Sequence, residues 1–459
     1  VSAWRRAEEA VMRPVDGAWL AAFRTLFGLS MCVSMVRFVA FGWVDELFVR
    51  PSFRFKYFGF GWVEALPPDA MRGLFWVLAG LALAMAAGFC FRVASLLFAL
   101  GFVYLELVDV TNYLNHYVLA GLLSFLLALS PAGRVFSVDG LIAPRRALGS
   151  VPKFWLYLLR FQVGIVYVFA GLHKAHADWL FHAQPLRIWL GSHGDFPVLG
   201  ALFSEPWTPY AMSWAGFLFD TTIVGWLAWR KTRPFAYGAV VAFHALTGAL
   251  FPIGMFPVIM VLSALVFFAP DWPRRVIALF SRERASREKS LAFEPLRPSR
   301  LRTAALALTA IYCATSVLVP LRFIAYGGNV RWHEQGMRFS WRVMIREKNG
   351  SVTFVVKNKR TGRTWHMSPT RYLTDIQERE MSGQPDLILA LAHHVRDDFE
   401  RRGQGPVEVR VEALVSLNGR KLAPLIDPHV DLATVKDSLG RARFILPAPT
   451  EPPPHTRPI

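Results

Sequence analysis

The chain is 459 residues long, 54% hydrophobic and 14% aromatic, with only 18% charged residues. Soluble globular domains carry about a quarter charged residues, so this deficit argues against an ordinary soluble enzyme and points to lipid. A formal charge of +18 would direct attention to nucleic acid in a soluble chain, but the basic residues here cluster between apolar runs, where anionic lipid accounts for them better. Cys32, Cys90 and Cys313 sit in apolar stretches without a CxxC pair, which gives no sign of a disulfide framework or a cysteine metal site.

The first apolar stretch follows Arg5, Arg6 and Arg13 and has no small-residue cleavage site, so it reads as an anchor. A membrane helix needs about 20 largely apolar residues. Nine segments are expected on that basis: roughly 18–41, 71–90, 93–109, 114–130, 154–175, 211–229, 235–251, 254–269 and 304–325. With nine spans, four basic groups fall on one side. They are Arg5 to Arg13, Arg134 to Lys153, Arg230 to Arg233, and the dense run from Arg274 to Arg302. The link after the fifth span carries Asp178, Asp195 and Glu205 instead. The positive-inside rule then puts the N-terminus in the cytoplasm and everything after the last span outside.

Composition changes near residue 330. Ser351 to Val356 alternates as a strand, Asn358 to Gly362 reads as a turn and Arg363 to Met367 as the return strand. Helical periodicity covers 370–402, and Val407 to Leu417 alternates again before an Asn418-Gly419 hairpin turn. The expected fold is an α-helical multi-spanning membrane protein of about nine transmembrane helices with a small α+β extracytoplasmic domain. Its expected limits are 1–328 for the helical core, 329–446 for the domain and 447–459 for a Pro-rich disordered tail.

Ionisable residues within spans cost roughly 2.5–3.5 kcal/mol each at a helix centre and so mark candidate sites. They are Arg24, Arg37, Glu106, Asp109, His116, Arg160, His173, Lys174, Asp220 and His244. In the nine-span topology, Glu106 and Asp109, Asn115 and His116, His173 and Lys174, and His244 arrive from four spans at one depth near the outer face. A lysine at a helix end often snorkels to the interface, and a lone histidine in a span is more often a helix–helix hydrogen bond. Arg24 and Arg160 are expected as structural partners of Glu106, Asp109 or Asp220. His173-x-x-His176, with Asp178 and His182 following, has zinc-like spacing but no general-base Glu, so no metal is expected. Phosphate loops and Gly-x-Ser-x-Gly elbows are absent.

The ordered motifs are more specific. Asn115-His116-Tyr117, Phe136 to Leu141, and Val166 through Gly171-Leu172-His173-Lys174-Ala175-His176-Ala177-Asp178-Trp179 come first. Ile253-Gly254-Met255-Phe256, Pro270 to Arg274, Phe339-Ser340-Trp341 and Ile426 to Asp431 follow in order. Together they resemble the vitamin K-dependent gamma-carboxylase family, including the related bacterial membrane domains of the horizontally transferred transmembrane domain superfamily. The resemblance runs from the first span to about residue 432.

That resemblance implies an enzyme that oxygenates a reduced vitamin K (phylloquinol or menaquinol) with O2 to its epoxide. The base so produced takes the γ-proton of a glutamyl residue in a peptide or protein, and CO2 adds there. It implies Lys174 as the base that deprotonates the quinol, His116 and Asn115 as stabilisers of developing negative charge, and Tyr167 and His244 as quinone-pocket residues. A lysine is a base only when neutral, and an apolar setting disfavours an ammonium; a dry site also protects a carbanion from water. Animal members have a lysine where this chain has His173, and continue with a further extracytoplasmic region after the stretch matching Asp431. Two other functions stay open: a quinol epoxidase or oxidoreductase without protein carboxylation, and a non-enzymatic quinone- or lipid-binding membrane protein. Short basic links and few Asn-x-Ser/Thr sites point to a bacterial inner membrane, with the C-terminal domain periplasmic and no nucleic-acid partner.

Overall fold

The computed structural model describes residues 3–280 and 300–454. The basic run from Arg282 to Arg297 and residues 455–459 lie outside the described residues. In chain order the membrane half consists of α1 (Ala18–Ala40), α2 (Pro68–Ala87), α3 (Phe91–Val108), α4 (Asn115–Leu129) and α5 (Lys153–Leu172). Then come α6 (Thr208–Ala228), α7 (Arg233–Leu250), α8 (Phe256–Ala264), α9 (Trp272–Phe280) and α10 (Arg300–Leu321).

Nine spans are not established. Among the described residues, five helices are long and apolar enough to cross a membrane: α1, α2, α3, α5 and the helix running through α10 to Ala325. A sixth is reached if α8 and α9, bent by 101° where they meet, count as one broken span. The remaining segments are helical for reasons that hydropathy alone does not separate. With 15 residues, α4 is about 22 Å long, short of a hydrocarbon core about 30 Å thick. Thr208, Ser213, Gly216, Asp220 and Thr221 dilute the apolar run of α6, as Gly238, His244, Thr247 and Gly248 do that of α7.

Close helix contacts depend on small residues. A Cβ on Gly28 would stand 2.8 Å from the Ala82 carbonyl oxygen and from Ala86 Cα, so α1 and α2 meet backbone to backbone. Gly171, at the end of α5, would meet Thr221 N on α6 at 2.7 Å. Small residues let helices approach closely where lipid supplies no hydrophobic drive.

Two arginines inside the bundle serve backbone groups. Arg24 Nη1 donates to the carbonyls of Ala132 (2.6 Å) and Val135 (2.9 Å), Nη2 to Phe136 (2.8 Å) and Nε to Ala86 (3.2 Å). Arg160 Nε donates to Val266 (2.8 Å), and its Nη2 to Phe267 and Phe268 (both 3.0 Å). The expected acid partners are therefore replaced by carbonyls. The reason is local: α8 ends inside the bundle, its last carbonyls lack helical donors, and a guanidinium offers several at once.

The C-terminal half is a four-stranded antiparallel sheet in the order β2-β1-β3-β4, with β1 Lys348–Asn358, β2 Thr364–Met367, β3 Val407–Leu417 and β4 Ala423–Pro424. Register between β1 and β3 runs from Lys348↔Leu417 to Asn358↔Val407. Val407, Val409, Val411, Ala413, Val415 and Leu417 are all buried, the period-2 face that packs against helix α12 (Pro385–Arg401). The helical stretch expected over 370–402 is two helices, α11 (Asp375–Ser382) and α12. Thr374 and Gln377 form a capping box on α11, and Pro385 opens α12.

The two halves are fastened together by buried polar contacts. Asp178, just after α5, accepts two hydrogen bonds from Arg420 (2.7 and 2.8 Å) and one from Asn418 (2.8 Å) in the β3–β4 turn. Gln377 Nε2 donates to Asp109 Oδ2 (2.7 Å), and Trp189 Nε1 to Glu347 (2.6 Å). The Pro-rich stretch expected to be disordered from 447 is fastened too, as far as Pro454. Arg420 Nε donates to the Glu451 carbonyl (2.7 Å), Gln184 Nε2 donates to the Pro454 carbonyl (3.3 Å), and Pro453 is buried. Fixed proline φ angles hold that path without a hydrogen-bond ladder.

Two outcomes follow. Arg24→Met strips four carbonyls of their donors and is expected to cost about 3 kcal/mol, read as a lower melting temperature in detergent. Burial pushes the Asp178 carboxyl up, but the bonds from Arg420 and Asn418 outweigh it and bring its pKa from 3.8 to about 2. A carboxylate held lower in the folded state contributes stability that is complete above about pH 4 and lost as pH falls toward 2. Acid titration of the protein in detergent is therefore expected to lose about 2 kcal/mol across that window, and Asp178→Asn to abolish the step.

Candidate active site

At the end of α5 the helix stops one residue short of His173, and the Lys174 N–H bonds to the Gly171 carbonyl at 2.9 Å. The side chain then folds back. Lys174 Nζ donates to Asp220 Oδ2 at 2.6 Å and to the Ala170 carbonyl, near the helix end, at 3.3 Å. Neither partner of the ion pair reaches solvent: the side chains are 7% and 6% exposed. Gly171 makes the pair possible, because only without a Cβ can α5 come close enough to α6 to bring these two groups together. The Trp179 ring lies 5.3 Å from Nζ, and its Nε1 donates to the Ser213 carbonyl at 2.8 Å, which fixes the ring against α6.

The pair borders a cavity of about 90 Å³, several times a single-water site. Its walls are apolar: Val166, Met212, Phe243, Phe256 and Met260 come from the helices, Phe251 from the end of α7, and Val343 and Met344 from the segment before β1. The polar groups on it are Lys174, Asp220, Tyr167, His244 and Thr247, and the rings of Trp179 and Trp189 complete the wall. Tyr167 Oη and His244 Nε2 lie 3.0 Å apart, both buried, and His244 Nδ1 has no hydrogen-bond partner among the described residues. Phe219 stacks on Phe243 at 4.1 Å behind this couple and presents its edge to Tyr167. A space with apolar walls and a few convergent polar groups is the form a small-molecule site takes.

The sequence-predicted residues fall into two groups. Lys174, Tyr167 and His244 line one cavity, Tyr167 from α5, Lys174 from just beyond its end and His244 from α7. His116 stands outside its wall: it is buried, its ring lies 5.7 Å from that of Phe256, and its Nε2 has no partner. Asn115 is turned away, with Nδ2 donating to the Arg342 carbonyl (3.0 Å) and Oδ1 accepting from Tyr113 (3.0 Å). Glu106 and Asp109 do not reach the cavity; Asp109 is occupied by Gln377 and Thr111. His176 caps the short helix Ala177–Leu180 through Nδ1, which accepts from Trp179 N at 3.2 Å.

Asp220 is the residue whose role the sequence reading missed. Its signal was present: it is the sole charged residue in α6, and a buried lysine needs a counter-charge. The roof residues Val343 and Met344 are adjacent to the Phe339-Ser340-Trp341 motif but carry no chemical signature of their own.

Comparison with known proteins adds the family. The HTTM domain model matches residues 12–272, and the model for the lumenal domain of vitamin K-dependent gamma-carboxylase matches residues 301–451. No solved structure matches the chain. With one model covering more than half of the sequence and the second most of the rest, in that order, this integral membrane protein belongs to the vitamin K-dependent gamma-carboxylase family.

Proposed function

We propose that the chain is a gamma-glutamyl carboxylase-like enzyme that couples oxygenation of a reduced naphthoquinone to addition of CO2 at glutamyl residues. The observation that carries this reading is the Lys174–Asp220 pair, sealed from solvent at one end of an apolar cavity whose other polar couple is Tyr167–His244. The donor set suits a quinol. Aromatic and methionine walls take a flat apolar ring, and polar groups at two places on the wall meet its two oxygens. When bound, the reduced naphthoquinone and O2 supply the strong base that removes the glutamyl γ-proton.

The protein's own residues then have separable tasks. An amine accepts a proton only through its lone pair, and Asp220 Oδ2, 2.6 Å from Nζ, holds the amine where a proton can be shared between the two groups. In an apolar setting a neutral amine beside a neutral acid competes with the ion pair, because two charges lose their hydration there. Lys174 is thereby poised to take the quinol proton while Asp220 positions the amine. Tyr167 and His244, paired through Oη and Nε2 at 3.0 Å, would hold the second quinol oxygen. His116 supports Phe256 from behind and Asn115 holds the roof, so both act at one remove. The roof and Trp179 exclude water, which would otherwise quench the γ-carbanion before CO2 adds. In this reading residues 1–328 form the membrane core and 329–446 an extracytoplasmic domain that brings the glutamyl substrate to the roof.

The test is incorporation of labelled CO2 into a glutamate-containing peptide by the purified protein with reduced vitamin K, with epoxide measured in parallel. Both products are expected, and both are expected to vanish in Lys174→Ala. Epoxide without labelled peptide would leave a quinol epoxidase. Neither product with phylloquinol or menaquinol would overturn the proposal.

A further inference from the structure

Arg342 is a buried arginine in the roof segment, 7% exposed, and among the described residues it forms no ion pair, although the Glu334 charge acts on it. Its guanidinium lies on the Phe323 ring, 4.3 Å from the centroid, and its Nε and Nη2 have no hydrogen-bond partner among the described residues. Those two N–H groups form one edge of the guanidinium, the parallel fork whose spacing matches the two oxygens of a carboxylate. Leaving such an edge unpaired in a buried position is costly, and most buried polar groups avoid it.

The surroundings deepen the imbalance. Arg331 is close enough for its charge to act on Arg342, and its Nε is likewise buried without a partner. Burial and then the Arg331 charge pull the Arg342 pKa down to about 10. His176 lies within electrostatic reach of both arginines. Because its Nδ1 accepts from Trp179 N, its neutral ring carries the proton on Nε2, and that donor too has no partner. The nearby acids are already engaged: Asp178 with Arg420 and Asn418, and Glu334 with Arg346 at 2.8 Å and Lys348 at 3.3 Å. Val343 and Met344, the next two residues along the chain, line the Lys174 cavity.

We infer that the Nε–Nη2 edge of Arg342 is a carboxylate-binding site beside the Lys174 cavity. This inference rests on the proposed function and assigns within it where the negative charge of the reactants is held. Two sources share the chemistry: the side chain of a glutamyl peptide, and bicarbonate in equilibrium with CO2. The fork holds the oxygens of the carboxylate, and no bond forms or breaks there.

The experiment is thermal unfolding of the full chain in detergent at constant ionic strength. It is titrated with a blocked glutamyl peptide, its glutaminyl counterpart, sodium bicarbonate, and sodium chloride as the control. A saturable rise of about 2 °C or more is expected with the glutamyl peptide and not with the glutaminyl one. The rise is expected to disappear in Arg342→Gln. In Arg342→Lys, which keeps the charge and loses the fork, binding is expected to weaken roughly tenfold or more. A rise with bicarbonate alone that is lost in Arg342→Gln keeps the carboxylate site and gives it to the CO2 source. No rise beyond the chloride control with either carboxylate, or an equal rise in Arg342→Gln, overturns the inference. The readout is binding, so a protein that makes no γ-carboxylated product but still shows the Arg342-dependent rise loses the carboxylase reading and keeps the site.

Discussion

The buried contact between Lys174 and Asp220 is the constraint around which the rest of the site is arranged. Either charge alone at this position would lose its hydration without compensation. Together they are tolerable only at hydrogen-bond distance, and that distance is set by backbone geometry: Gly171 admits α6 to within contact of α5. The remaining features keep the pair dry. Trp179 closes one side, Phe243 of α7 and Phe256 of α8 another, and Val343 and Met344 the top.

The C-terminal half is therefore part of the site and not an appended module. Its roof segment takes an unusual path, with Phe339, Trp341 and Met344 at positive φ values of 58°, 58° and 51°. Non-glycine residues adopt that region at a cost, and surrounding contacts must over-determine it. They do so here: the Phe339 N–H bonds to Tyr113 Oη at 2.6 Å, the Arg342 carbonyl is held by Asn115, and the Arg338 carbonyl by Arg322. Three of the motifs that first carried the family resemblance thus meet at one place. Asn115 and the Phe339-Ser340-Trp341 turn build the roof, and the segment from Val166 to Trp179 builds the floor.

Much of this was legible in the sequence because it rests on local pattern. The β1 and β3 strands follow from period-2 alternation, and the Asn418-Gly419 turn from its type, with Asn418 at φ 54° and Gly419 at φ 78°. Lys174 and His244 stand out as ionisable residues in apolar spans, whereas Tyr167 comes only from the family resemblance. The failures are matters of length and of distant partners. Hydropathy finds helices such as α4 and α6 but does not say whether they cross; of the nine expected segments, five or six among the described residues are long and apolar enough to do so. Arg24 and Arg160 were matched with acids when their partners are carbonyls exposed by breaks in neighbouring helices, which no pattern in either arginine's own segment records. Asp220 was visible as a lone charge, but its pairing depends on a glycine contact between two helices.

The most direct test of the central claim is a double-mutant cycle on epoxide formation from reduced vitamin K, using Lys174→Met, Asp220→Asn and the combined variant. If the two side chains work as one proton-accepting unit, each single change lowers the rate by at least about a hundredfold. The double variant is then no slower than Lys174→Met alone, because removing one member already disables the unit. Losses that multiply, or an Asp220→Asn protein close to the unsubstituted rate, would contradict the account.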